Sequence, residues 1–171
     1  MRCKKWVTIW PLLLMLLLPM VTGAAEPPCG ASEFRQFDFW KGHWEVRLAD
    51  DRLAGSNSIE RTQQGCLLVE NWTGAQGGTG TSLNFYSPVA GLWRQVWVSP
   101  GAIIDISGGL RGADMVLEGS ITYSGAEQAT YPFRGTWSPL PDGRVRQFFE
   151  EARQPEVWQT WFEGFYTRAG D

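Results

Sequence analysis

Histidine occurs once in the 171 residues, as His43, so a Ser-His-Asp relay or a multi-histidine metal centre would have to be built around that one ring. It stands in the stretch "FDFWKGHWEV", residues 37–46, whose end reads as a strand. If Trp44, Val46 and Leu48 turn inward there, then His43, Glu45 and Arg47 turn outward. That placement takes His43 out of a catalytic or ligating role, and neither a catalytic constellation nor a metal site is expected. Five carboxylates remain as acid-base candidates: Glu70, Asp105, Glu150, Glu151 and Glu163. Glu150 and Glu151 are neighbours on one strand, so only one of them can face inward. An inward glutamate can serve as a general base, or it can pair with Arg134, Arg146 or Arg111, since buried charges are usually paired. Tyr166 and Tyr131 have the donor atom to ligate a heme iron, but a buried phenol satisfied by a hydrogen bond is the commoner use, and no cofactor is expected.

The stretch "WRQVWVS" carries a different chemistry. Trp93, Gln95, Trp97 and Ser99 share one face of a strand, and Arg94, Val96 and Val98 share the other. Large flat rings alternating with an amide suit the wall of a ligand cavity, whereas a filled core prefers Leu, Ile and Val. Asn84 and Tyr86 on the preceding strand, and Gln147 or Phe148 near the barrel seam, are expected to complete that wall. The competing arrangement has the Gln95 amide bonded to a neighbouring side chain and the two tryptophans simply packed.

These residues need strands to hold them. Short runs rich in Trp, Phe, Tyr, Val, Ile and Thr recur along the chain between clusters of Gly, Pro, Asn and Asp, and roughly ten can be counted. They cover 43–49, 56–62, 66–73, 80–86, 92–98, 102–107, 114–123, 130–137, 144–152 and 157–167. The connectors, such as "AQGGTG", "SPVAG" and "SPLPDG", have the length of hairpin loops. Only the lead-in reads as helical, with Ser32 at the N-cap, Glu33 in the first turn, and Phe34, Phe37 and Phe39 or Trp40 turned inward. A meander of antiparallel strands must bury one face and hide its edges, and closure into a barrel does both. The expected fold is all-β: an antiparallel up-and-down closed barrel of about eight to ten strands after a short helical turn.

The first residues read as a signal peptide. Arg2, Lys4 and Lys5 precede the apolar run "PLLLMLLLPMV", and "VTGAA" offers small residues for cleavage near Ala25. The expected domains are a signal peptide at 1–25 and a single barrel at 26–171. Export removes three positive charges and no acid, taking the formal net charge from −3 to −6. An acidic chain with scattered arginines has no electrostatic footprint for nucleic acid. With Lys41 its only mature lysine, it has no polybasic membrane patch either. Cys3 leaves with the signal, and the two cysteines that remain allow one intramolecular pairing, Cys29 with Cys66. Zinc is excluded at these cysteines by the lack of CxxC spacing and of a second histidine. "AQGGTG" has no following helix to hold a phosphate, and the sequon Asn71-Trp72-Thr73 sits in the middle of a strand.

Gly42-x-Trp44 on a first strand after a helical turn resembles the start of lipocalin-like (calycin) barrels. The resemblance implies that Trp44 lies across the closed end and packs against an arginine near the C-terminal strand, here Arg168. The series "FDFWKGHWEV", "GCLLVENW", "NFYSP", "WRQVWV", "GRVRQFFE" and "FEGFYTR" also resembles an exported bacterial family of lipocalin-like barrels without an assigned function. It implies a secreted, periplasmic protein. Together with the Trp93–Trp97 face, it points to binding of a small apolar or amphipathic molecule. Two alternatives stand beside that reading: an enzyme using an inward carboxylate in the cavity, and a structural or partner-binding barrel with its interior filled.

Overall fold

The computed structural model describes residues 27–126 and 128–170. The predicted signal peptide lies outside the described residues. Ten strands follow one another in antiparallel order: β1 (Gly42–Arg47), β2 (Leu53–Thr62), β3 (Leu67–Gly74), β4 (Thr79–Ser87), β5 (Leu92–Val98), β6 (Ala102–Arg111), β7 (Asp114–Tyr123), β8 (Thr130–Pro139), β9 (Val145–Gln154) and β10 (Val157–Arg168). Each pairs with its neighbour in sequence, and β1 pairs with β10, so the sheet closes into a barrel without an edge. The short polar connectors dictate this meander, because a hairpin loop leaves a strand nowhere to go but alongside its predecessor.

The lead-in forms two short 3-10 turns, Ser32–Arg35 and Asp38–Trp40. Ser32 does not cap the first turn. Ala31 occupies that position without a side-chain bond, and the Ser32 hydroxyl instead contacts Glu33. The two turns plug one end of the barrel. Phe37 and Trp40 are fully buried and stack at 5.0 Å, and Phe37 meets Trp93 at 5.6 Å and Trp137 at 5.1 Å, both edge-on. The Trp93 indole N–H donates to Glu33 O at 3.2 Å, fixing the plug to the start of β5. Arg61 ties it to the end of β2, pairing with Asp38 and donating to Phe34 O at 3.1 Å. A disulfide between Cys29 and Cys66, Cα atoms 5.1 Å apart, staples the lead-in to the residue before β3. Closing a loop of 37 positions this way stabilises the fold by roughly 3–4 kcal/mol.

Beside the plug, the Trp44 indole N–H donates to Trp40 O at 2.9 Å. The Arg168 guanidinium lies 4.3 Å above the Trp44 ring, and its Nη1 donates to Lys41 O at 3.1 Å. Gly42 has φ +139°, and a Cβ there would fall 2.3 Å from Arg168 Nη1. The glycine and the tryptophan two residues later are therefore one device, which lets the cation settle onto the indole. His43 is exposed, as its alternation with buried Trp44 and Val46 requires.

The ion pairs lie mainly on the outer face. Arg94 meets Asp105 at 2.6 Å, Arg134 meets Glu150 at 2.6 Å, Arg146 meets Glu163 at 2.7 Å and Arg111 meets Glu118 at 2.8 Å. Three of the five candidate carboxylates are thus committed to outer-face arginines. Glu151 turns inward at the far rim, where it pairs with Arg153 at 2.8 Å and accepts from the Tyr123 hydroxyl at 2.7 Å. Among the described residues, Glu70 has no cationic partner and is held by Asn57 and Ser82.

Candidate functional site

The half of the barrel away from the plug is hollow. Three strands bring Glu70 to its floor. On β3, Leu68, Glu70 and Trp72 alternate inward from the closed end to the open one, and the register sets Glu70 opposite Ile59 of β2 and Ser82 of β4. Asn57 of β2 donates from Nδ2 to Glu70 Oε1 at 2.7 Å, and the Ser82 hydroxyl donates to Oε2 at 2.5 Å. Behind Ser82 the donors continue: Asn84 Nδ2 reaches Ser82 Oγ at 2.8 Å, and Gln95 Nε2 reaches Asn84 Oδ1 at 2.7 Å. On the other side, Asn57 Nδ2 lies 3.2 Å from the Tyr166 hydroxyl, which donates to Gln147 Oε1.

All seven of these side chains are buried, and they form an arc across β2 to β5 and β9 to β10. Two of them, Asn57 and Ser82, donate directly to the Glu70 carboxyl. The opposite wall is apolar, with Ile104 and Ile106 of β6, Leu117 of β7 and Phe133 of β8 all buried. Burial pushes the Glu70 carboxyl up from the ordinary 4.5 to about 7, against the pull of the Ser82 and Asn57 bonds. Burial, joined by the Glu70 charge, holds the Tyr166 phenol well above its usual range.

Above this floor stands a ring of aromatic side chains. The cavity is about 130 Å³ and is lined by Glu70, Gln95, Gln147 and Tyr166 below, with Trp72, Trp97, Phe149, Trp161 and Phe162 above. The rings fit because small residues make room for them. A Cβ at Gly80, which sits opposite Trp72, would lie 2.0 Å from the Trp97 ring, so Trp97 can lie down along β4 only over a glycine. Trp72 meets Phe162 at 6.1 Å, and Phe149 meets Trp161 at 6.2 Å. The pairing of β10 with β9 shifts register between Thr160 and Phe162. Such a bulge frees consecutive residues from strict alternation, and here it lets both Trp161 and Phe162 reach the mouth.

The face expected from "WRQVWVS" divides by depth. β5 runs from the closed end to the open one, so its inward residues occupy successive levels. Gln95 and Trp97 line the cavity. Asn84, fully buried, stands beneath it in the polar arc. Trp93 and Tyr86 lie at the closed end, where Tyr86 packs on Phe34 at 5.2 Å and Trp93 on Phe37. The Gln95 amide does bond a neighbouring side chain, and it borders the cavity as well. Gln147 faces inward, while Phe148 lies outside beneath the Arg146 guanidinium at 4.4 Å.

Trp72, Phe149, Trp161 and Phe162 were not singled out from the sequence. Parity on "LLVENW" and "RQFFE" would have found the first two, but the bulge hides Trp161. Among the described residues, no group of three His, Cys, Asp or Glu side chains is placed to hold a metal ion, and no helix is long and apolar enough to cross a membrane. No protein-family model and no curated protein sequence matches the chain.

Proposed function

We propose that this protein is an exported, lipocalin-like barrel that binds a small amphipathic molecule in the open half of its interior. The observation that carries the reading is the layered cavity: an aromatic mouth over a polar floor, which suits a molecule with an apolar body and one polar end. A volume of about 130 Å³ sets the scale. An engineered cavity of about 150 Å³ holds benzene, so the buried part of the ligand is of that size. The Trp44–Arg168 contact over Gly42 supports kinship with lipocalin-like barrels, and the Cys29–Cys66 disulfide supports an oxidising compartment such as the bacterial periplasm. Titration with small aromatic and aliphatic amphiphiles, followed by tryptophan emission, tests the proposal. A saturable change that is lost in Trp97→Ala is the expected result, and no saturable change with any probe refutes it.

One observation favours a second reading, proton transfer by Glu70. A carboxyl held near pH 7 inside a cavity is where a general base operates, with the Gln147 amide at hand for a developing oxyanion. Deuterium exchange into small ketones in heavy water, faster with the protein than with Glu70→Gln, would establish it.

A further inference from the structure

We infer that the cavity selects a protonated amine, with Glu70 as its counter-ion and the surrounding tryptophans as its cage. This rests on the proposed binding role and names the ligand class.

The argument begins with charge. Among the candidate acids, Asp105, Glu150, Glu151 and Glu163 each have an arginine within 3 Å, whereas Glu70, only 3% exposed, is held by two neutral donors. A buried carboxylate without a cation is costly, and the cost is relieved by proton uptake or by an incoming positive charge. The groups packed around it bring no such charge. Asn57 from β2, Ser82 from β4, Gln95 from β5 and Gln147 from β9 are neutral, and Tyr166 from β10 is a phenol held in its protonated form. The inward cation at the rim, Arg153, is committed to Glu151 and to the rings of Tyr123 and Tyr131, about 5 Å away.

The rings supply the second half of the argument. Trp72 stands two residues beyond Glu70 on the same face of β3. Trp97 sits opposite Ser82, which itself sits opposite Glu70, and its ring leans across Gly80 toward Trp72. An ammonium group above the carboxylate therefore lies in a cavity lined by the Trp72 and Trp97 indoles, a ring type that attracts cations. A neutral alcohol of the same shape gains neither the ion pair nor the ring attraction. The acidic chain, with formal net charge −3, adds a long-range bias toward cations.

Benzylamine and benzyl alcohol are the probes, titrated calorimetrically against the folded wild-type protein at pH 5.5 and pH 8. Benzylamine is expected to bind at least tenfold more tightly than benzyl alcohol at pH 8, and to lose at least tenfold of its affinity at pH 5.5, where Glu70 takes up a proton. Glu70→Gln should bring the two ligands within a factor of about two. Equal binding of both by the wild type, or an amine preference that Glu70→Gln leaves intact, overturns the inference while sustaining the binding role. Binding of neither overturns the inference, and the binding role falls with it only when the whole amphiphile series also fails to bind. If Glu70→Gln does not fold, the wild-type comparison across pH decides alone, because binding of benzylamine that is independent of pH rules out the carboxylate as counter-ion.

Discussion

The two ends of this barrel are built from the same kind of residue and do opposite things with it. At the closed end, Phe37, Trp40, Trp93 and Trp137 lie within 5.0 to 5.6 Å of one another in the pairs they form, and all are buried. At the open end, Trp72, Trp97 and Phe162 are only partly buried and Trp161 is exposed, and they surround a space. The difference lies in what fills the middle. The plug brings two rings into the closed end as stoppers. Among the described residues, no such segment enters the open end, and its floor is a polar arc into which apolar rings cannot settle without stranding hydrogen-bonding groups.

Cutting one ring from each end should separate the two roles. Trp44→Ala removes a fully buried ring and leaves Arg168 over a void, so a loss of roughly 3–5 kcal/mol in urea unfolding is expected. Trp97→Ala should cost roughly 1 kcal/mol, because its ring already borders empty space. Equal losses at the two positions would erase the distinction.

Reducing the disulfide acts on the closed end through the plug. It should lower stability by roughly 3–4 kcal/mol. Mass mapping after alkylation of the unreduced protein should find no free thiol at Cys29 or Cys66.

Glu70 sets a pH dependence that belongs to the open half. A carboxyl that holds its proton more tightly folded than unfolded contributes most to stability below its unfolded pKa of 4.5, and that contribution is lost as pH rises through about 7. Between pH 4.5 and pH 8 the wild type should therefore lose about 3 kcal/mol relative to Glu70→Gln. Parallel stability curves for the two proteins would show that Glu70 titrates normally. A smaller effect than at Trp44 is expected at Gly80→Ala. Its methyl group must displace the Trp97 ring, at about 1–3 kcal/mol if the ring cannot move and less if it swings into the cavity, with ligand affinity falling in either case.

The strands were legible because alternation and turn clusters are local signals, and all ten runs became strands. The sixth stops too early when read from sequence, since Gly108-Gly109 looks like a break. In the fold, β6 runs on to Arg111, and Gly108 is small because β7 crosses close by: a Cβ there would lie 2.2 Å from Val116 O. The site was legible as a face and illegible as a depth. Period-2 alternation puts Trp93, Gln95 and Trp97 on one side, but only the plug decides which of them meets filled space. Glu70 stood among five carboxylates in the sequence because pairing depends on cross-strand register. The signal that marks it is the run of inward polar positions on adjacent strands, Asn57, Glu70, Ser82 and Asn84; the arginine that shares the Asn57 face of β2, Arg61, is committed to Asp38 and the plug.

Indole N–H signals offer the most direct test of a hollow end and a filled end in one molecule. In a nitrogen-15 NMR titration with benzylamine at pH 8, the indoles of Trp72, Trp97 and Trp161 should shift in saturable fashion. Those of Trp40, Trp44, Trp93 and Trp137 should hold still. Shifts confined to the closed-end indoles, or no saturable shift at Trp72 and Trp97, would contradict the placement of the binding site in the open half of the barrel.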